Sequence, residues 1–184
     1  MNHLDLCSGI GGFALAARWM NWQTIAFCER DKFCQKVLKK HWPEVTIYDD
    51  LTTFNASEFM GRVDILTAGY PCQPFSQAGK RMGAEDDRHL WPEVRRVITE
   101  CRPRWIVCEN VAGHITMGLN DVLTDLESEG YTAQAVVIPA CATGAPHRRD
   151  RVWIIANAND SRIQAQRPEF ASAGTFIGVS PAKT

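Results

Sequence analysis

Short apolar runs alternate with longer amphipathic stretches along most of the chain. Leu4-Asp5-Leu6-Cys7, Thr24 to Cys28, Val45 to Tyr48, Val63 to Ala68, Arg104 to Cys108, Tyr131 to Ile138 and Arg151 to Ala156 each read as strands. Between them, Phe13 to Met20, Asp31 to Lys40, Leu90 to Cys101 and Leu119 to Glu129 read as helices. Leu90, Val94, Val97 and Ile98 share one helical face, and Gly130 stops the last helix. Alternation of this kind predicts an α/β fold, a mostly parallel sheet with helices on both faces. The pattern stops after the last strand. Residues 1–157 therefore read as one domain, and 158–184, rich in Ala, Ser, Gln and Gly, as a polar tail, disordered or the start of a truncated region.

Composition narrows the class. The chain has 184 residues, 45% apolar and 22% charged, as expected of a soluble domain with a real core. Its net charge is -1, so a nucleic-acid partner would have to be held by local patches or by another segment. No apolar run reaches membrane-spanning length, and Met1 to Cys7 has no basic region or long apolar core of a signal peptide. Seven cysteines occur without a Cys-x-x-Cys pair, which points to reduced thiols in a cytoplasm and to no metal site.

The chemistry-bearing residues fall at the carboxyl ends of the expected strands. Ser8-Gly9-Ile10-Gly11-Gly12 follows the first strand and opens a helix, the geometry that brings backbone close to a nucleotide-like ligand. The spacing is neither the dinucleotide fingerprint nor a phosphate-binding P-loop. Glu29 ends the second strand, where a carboxylate either grips a ribose diol or stands at the start of a helix. Asp49-Asp50 follows the third, able to accept from an adenine amine or to cap a turn. Cys72 lies between Pro71 and Pro74 after the fourth strand. A thiol on so stiff a loop is a candidate nucleophile, although an isolated cysteine is ordinarily a core residue. Lys80 to His89 is polar, a lid or an ordinary surface loop. Glu109 ends the next strand, and Arg148 to Arg151 by itself reads as a solvated basic turn. Together these positions outline one cleft with a thiol and a carboxylate beside a nucleoside-bearing cofactor.

These residues resemble the motifs of the DNA cytosine-5 methyltransferase family. Asp5 to Phe13 is similar to its cofactor motif, and Gly69-Tyr-Pro-Cys-Gln-Pro-Phe-Ser76 to its catalytic loop. Glu109-Asn-Val111 and Gly144 to Arg151 are similar to its two base-binding motifs. All four stand in family order, and the resemblance covers roughly residues 2–156. It implies a Rossmann-like fold of the class I S-adenosylmethionine-dependent methyltransferases. The implied reaction moves a methyl group from S-adenosylmethionine to carbon 5 of a cytosine flipped out of DNA, through a covalent Cys72 adduct. By the same resemblance Glu109 holds and protonates the base, Arg151 bonds its carbonyl oxygen, and Arg149 braces the loop or a phosphate. Cys7, Gly9, Ile10, Gly12, Glu29, Asp50, Leu51, Pro71 and Leu90 would hold the cofactor. Gln73, Ser76, Lys80 and Arg81 would face double-stranded DNA. Two positions depart from the pattern: Cys7 stands where phenylalanine is frequent, and His147 where glutamine is. No stretch after Asn157 matches the family's target-recognition domain or its returning segment, so the chain reads either as a truncated product or as one half of a split enzyme whose second polypeptide supplies target recognition.

Other readings remain open. A remnant of the fold that only binds nucleic acid or protein would be indifferent to loss of Cys72. An RNA cytosine-5 methyltransferase would use the same motifs. A nicotinamide-dependent enzyme would explain the glycine turn and Glu29, but not the Pro-Cys-Gln loop.

Overall fold

A computed structural model describes residues 1–71 and 90–158. Its strands are β1 (Asn2–Leu6), β2 (Gln23–Cys28), β3 (Thr46–Tyr48), β4 (Ile65–Ala68), β5 (Trp105–Val111), β6 (Tyr131–Pro139) and β7 (Asp150–Ala158). The helices are α1 (Gly12–Trp19), α2 (Lys32–His41), α3 (Trp91–Cys101), α4 (His114–Met117) and α5 (Leu119–Ser128). One seven-stranded sheet has the order β3-β2-β1-β4-β5-β7-β6. β3, β2, β1, β4 and β5 pair in parallel, and β7 pairs antiparallel with both β5 and β6. No helix of the described residues is long and apolar enough to cross a membrane.

The pleat sorts side chains onto two faces. Leu4, Leu6, Ala26, Cys28, Leu66, Ala68, Ile106 and Cys108 join the larger core with Val94, Val97 and Ile98 of α3 and Val122 and Leu126 of α5. Phe27, between Ala26 and Cys28, packs instead with Ala14 of α1 and Leu38 of α2. Helices thus cover both faces, as the alternating pattern predicts.

Helix ends follow local chemistry. Asp31 caps α2, its carboxylate accepting the Cys34 amide at 2.8 Å. Gly130, at φ 88, turns the chain out of α5.

Two sequence expectations need correction. β5 does not end before Glu109 but continues to Val111, because β7 supplies ladder partners as far as Val111↔Arg151. β7 is likewise longer than Arg151 to Ala156. It starts at Asp150 and runs to Ala158, whose amide donates to the Arg104 carbonyl. Periodicity within one strand cannot show how far a neighbour extends it.

The sheet order places the site. β2 and β3 lie on one side of β1, and β4 and β5 on the other, so the order reverses between β1 and β4. Open α/β sheets bind ligands outside the carboxyl ends of the strands at such a switch point. The glycine turn leaves β1 there, and the Tyr70-Pro71 exit leaves β4 there.

Candidate active site

The glycine turn is held from beneath. Ser8 Oγ donates to the Asp5 carbonyl at 2.8 Å, and the Gly11 amide to the Ser8 carbonyl at 2.9 Å. Gly9 and Gly11 have φ of +54° and +92°, the left-handed region open to glycine. Gly9 and Gly12 would meet nothing within 4 Å if given a Cβ, so both front open space. Gly11 is the reverse: a Cβ there would lie 2.7 Å from the Trp42 ring. Ile10 is exposed, and Cys7 is half-buried at φ 50°.

Glu29 stands at the start of a helix, one of the two roles its position suggests. Oε2 accepts the Gly9 amide and Oε1 the Asp31 amide, each at 2.7 Å. The carboxylate therefore ties the glycine turn to the entrance of α2, and each oxygen keeps a lone pair for a further donor. Asp50 caps a turn: its Oδ1 accepts from the amide and the hydroxyl of Thr52, which hold its carboxyl below the ordinary value. Leu51 is buried beside it, Leu90 half-buried and Pro71 exposed.

On the far side of β4, Glu109 and Arg151 form an ion pair, Arg151 Nε lying 2.6 Å from Glu109 Oε1. Glu109 pairs with Trp153 in register, and Arg151 with Val111. Gly69 stands between this pair and the glycine turn. A Cβ there would lie 3.8 Å from the Cys7 carbonyl and from Phe13 Cε2, and 3.9 Å from Glu109 Oε2. Phe13 also meets Trp153 edge to face at 5.8 Å. Arg149 is apart from this group. It is exposed, at φ 38°, and makes no ion pair among the described residues. Arg148 pairs with Asp150 at 3.1 Å.

Cys72, Gln73, Ser76, Lys80 and Arg81 lie outside the described residues. Other cysteines near the cleft are held as thiols. Burial is the first cause of the rise that takes Cys28 and Cys108 to about 12, and it pushes Cys7 up as well. Neutral thiols are poor nucleophiles.

The periodic reading missed a buried polar chain beneath the turn. Thr67 Oγ1 donates to Asp5 Oδ1 at 2.6 Å, leaving its oxygen to accept from His3 Nε2 at 2.8 Å. The second ring nitrogen, Nδ1, then accepts from Thr24 Oγ1 at 3.0 Å. Burial lowers the His3 pKa to about 4 and raises that of Asp5 to about 7, the nearby Glu29 charge adding to the latter. Asp5 Oδ2 is buried without a hydrogen-bond partner. The signal was present in β1, where His3 and Asp5 alternate with Leu4 and Leu6 in a strand flanked on both sides.

The donor set suits a nucleoside bearing positive charge. It has an open glycine turn and the carboxylates of Glu29 and Asp50. No cationic side chain pairs with Glu29 or Asp5 among the described residues.

Comparison with known proteins places the sequence and the fold. A family model for C-5 cytosine-specific DNA methylases matches residues 1–176. The chain is 33% identical over 183 residues to the type II methyltransferase M.HhaI of Haemophilus parahaemolyticus, covering 96% of this chain and 55% of that protein. It is 34% identical over 167 residues to the type II methyltransferase M.Eco47II of Escherichia coli, covering 85% of this chain and 39% of the relative. In fold it matches the S. pombe Dnmt2 methyltransferase, with a TM-score of 0.73 at 21% identity over 88% of this chain and 52% of that one. A putative DNA modification methyltransferase encoded within an E. coli prophage gives 0.72 at 24% identity, over 86% of this chain and 47% of that one. The chain thus spans about half the length of the relatives it matches, or less.

Proposed function

The chain belongs to the C-5 cytosine-specific DNA methylase family, and we propose that it carries the chemical half of such an enzyme, methylating carbon 5 of cytosine in DNA. The observation that carries this reading is the Glu109–Arg151 pair, set across Gly69 from the glycine turn at the switch point of the sheet.

The cofactor in this reading is S-adenosylmethionine, which supplies an electrophilic methyl group on a positively charged sulfur. Gly9, Ile10 and Gly12 bring backbone against it, with Cys7 and Leu51 beside the turn. Glu29 accepts from ribose hydroxyls with the lone pairs its two amide bonds leave. Asp50 offers its second oxygen to the adenine amine, and Pro71 and Leu90 close the apolar side. That Gly9 and Gly12 front open space supports this assignment.

Cytosine carbon 5 is a weak nucleophile. The thiolate of Cys72 would add to carbon 6, forming an S–C bond and giving the ring enamine character, so that carbon 5 takes the methyl group as its bond to the sulfonium sulfur breaks and the sulfur leaves as a neutral thioether. Glu109 holds the ring-nitrogen edge and, once it has taken up a proton, would donate it there as negative charge develops, taking it back when the S–C bond breaks. Arg151 keeps Glu109 in place and donates to the base carbonyl oxygen. A base then takes the proton from carbon 5, and the S–C bond breaks to release the thiolate. A thiol nucleophile fits a reducing compartment, the cytoplasm.

The base must leave the helix to reach Glu109, at a cost on the order of a few kcal/mol. Gln73, Ser76, Lys80 and Arg81 are proposed to face the DNA. Arg149, exposed and free of an ion pair among the described residues, is proposed to meet a phosphate. The chemistry is assigned to residues 1–158. Selection of the target sequence is assigned to further sequence, in the same chain or in a second polypeptide.

Trapping tests this reading. DNA carrying 5-fluorocytosine has no carbon 5 proton to lose, so the adduct should persist as a denaturation-resistant complex that requires S-adenosylmethionine. Cys72→Ala should form none. A complex that forms equally well with Cys72→Ala would overturn the assignment.

A further inference from the structure

The polar chain under the glycine turn can run in two directions. Thr67 Oγ1 lies 2.6 Å from Asp5 Oδ1 and 2.8 Å from His3 Nε2, and His3 Nδ1 lies 3.0 Å from Thr24 Oγ1. A hydroxyl donates or accepts, and a neutral imidazole carries its proton on either nitrogen. With Asp5 ionised, Thr24 donates to Nδ1, Nε2 donates to Thr67, and Thr67 donates to the carboxylate. With Asp5 protonated on Oδ1, every bond reverses: the carboxyl donates to Thr67, Thr67 to Nε2, and Nδ1 to Thr24. The second arrangement holds one proton more, and the imidazole is neutral in both.

The surroundings favour reversal. Asp5 and His3 are fully buried. Asp5 Oδ2 has no hydrogen-bond partner, so a proton placed there would be a buried donor with nothing to receive it, at a cost of about 1–3 kcal/mol. On Oδ1 the same proton meets the Thr67 hydroxyl. Burial also disfavours a charged imidazole, lowering the His3 pKa to about 4. For Asp5, burial raises the pKa to about 7, the Thr67 hydrogen bond opposing the rise and the Glu29 charge adding to it.

Few charges face Asp5. Glu29, from the end of β2, accepts the Gly9 amide in the turn above. Cys7 is held as a thiol. Beyond β4, Glu109 and Arg151 are paired with each other. On this side of the sheet α1 and α2 pack uncharged Ala14 and Leu38 against Phe27, which stands in register with Asp5. Arg18 of α1 donates instead to the His41 carbonyl.

We propose that the Asp5–Thr67–His3 chain reverses with the charge at the glycine turn, so that Asp5 distinguishes a positively charged occupant of the turn from a neutral one. As to the occupant, the proposal rests on the reading of S-adenosylmethionine as the cofactor. That nucleoside carries a sulfonium charge, and S-adenosylhomocysteine, left after methyl transfer, does not. A positive charge favours ionised Asp5, and by linkage ionised Asp5 favours the charged ligand by the same factor. On ionisation each proton moves one bond along the chain, and one proton leaves to solvent from Thr24, the most exposed of the four residues.

NMR of protein labelled in its histidines tests the chain by showing which ring nitrogen carries the proton. Signals missing from His3→Asn assign His3 among the five histidines. In the free wild type the proton should sit on Nε2 at high pH and on Nδ1 at low pH, with a midpoint of about 7. Thr67→Val, which removes the bridging hydroxyl, should hold one tautomer throughout, and Thr67→Ser should restore the change. Glu29→Gln, which removes a negative charge, should lower the midpoint. By calorimetry, the affinity ratio of S-adenosylmethionine to S-adenosylhomocysteine should rise about fivefold or more as pH crosses the midpoint, and stay level in Asp5→Asn. A His3 tautomer that stays fixed in the wild type, or that changes equally in Thr67→Val, would overturn the proposal, as would a level affinity ratio in the wild type. Failure of both nucleosides to bind would instead count against the proposed function, and the midpoint in Glu29→Gln would still decide whether the chain follows the charge at the turn.

Discussion

Arg151 Nε lies 2.6 Å from Glu109 Oε1, on neighbouring antiparallel strands that bring the two residues together from 42 positions apart in sequence. Side-chain exposures of 21% and 27% leave this pair part-buried, with an edge still reached by solvent. It therefore contributes little to folding and is available to a ligand.

Glu109→Gln and Arg151→Ala should each slow methyl transfer by about 100-fold or more, the usual cost of losing a positioned acid. The double variant should be little worse than the worse single one, because the two groups act on the same base. Thermal unfolding should move by only a few degrees, corresponding to at most about 1 kcal/mol for an ion pair of this exposure. Additive losses in turnover would show that the pair does not act as a unit.

The polar chain under the glycine turn makes a pH prediction with a defined sign. Asp5 keeps its proton in the folded state up to about 7, whereas the unfolded chain loses it near 3.8. Its contribution to stability is full at acid pH and falls as pH rises across that interval. His3 is the opposite case, neutral in the folded state down to about 4 but protonated below 6.5 when unfolded. Its contribution is full above 6.5 and is lost as pH falls toward 4. The two slopes oppose each other, so the wild type should show little pH dependence from this pair in the shared interval. Asp5→Asn should make stability rise with pH there, and His3→Asn should make it fall. Each slope is up to about 1.4 kcal/mol per pH unit. Denaturant midpoints measured across the interval read the result directly, and slopes of the same sign in both variants would contradict the assignment.

Gly11 and Gly12 are adjacent but should behave oppositely. Gly11→Ala forces a methyl group to 2.7 Å from Trp42 at a φ of +92°, and should destabilise the fold by about 2 kcal/mol or more. Gly12→Ala meets open space at the start of α1, so stability should hold or rise by about 0.5–1 kcal/mol. The same methyl group projects where the cofactor is proposed to lie, and affinity for S-adenosylmethionine should fall about tenfold. Calorimetric binding beside thermal melts separates the two effects.

Most strands and helices are legible in the chain because buried strands and amphipathic helices carry their own period. Glu109 and Arg151 are legible as separate motif residues, but their pairing depends on β7 lying antiparallel to β5, which no local period records. The contact between Tyr70 and His114 is hidden for a similar reason. Tyr70 reads as part of the Gly69 to Ser76 motif and His114 as an ordinary residue after Glu109-Asn-Val111, and the packing of α4 against the exit of β4 joins them. The structure also shows the turn-capping alternative at Asp50, where Thr52 takes one oxygen and leaves the other.

The most direct measurement is transfer of a labelled methyl group from S-adenosylmethionine to mixed genomic DNA by this chain, with Cys72→Ala in parallel and the product digested to nucleosides. The predicted result is label in 5-methylcytosine, present with the wild type and absent with Cys72→Ala. Equal label with both proteins, or absence of label with both even when the polypeptide that selects the target is supplied, would contradict the claim that these residues hold a working cytosine-5 methylation site.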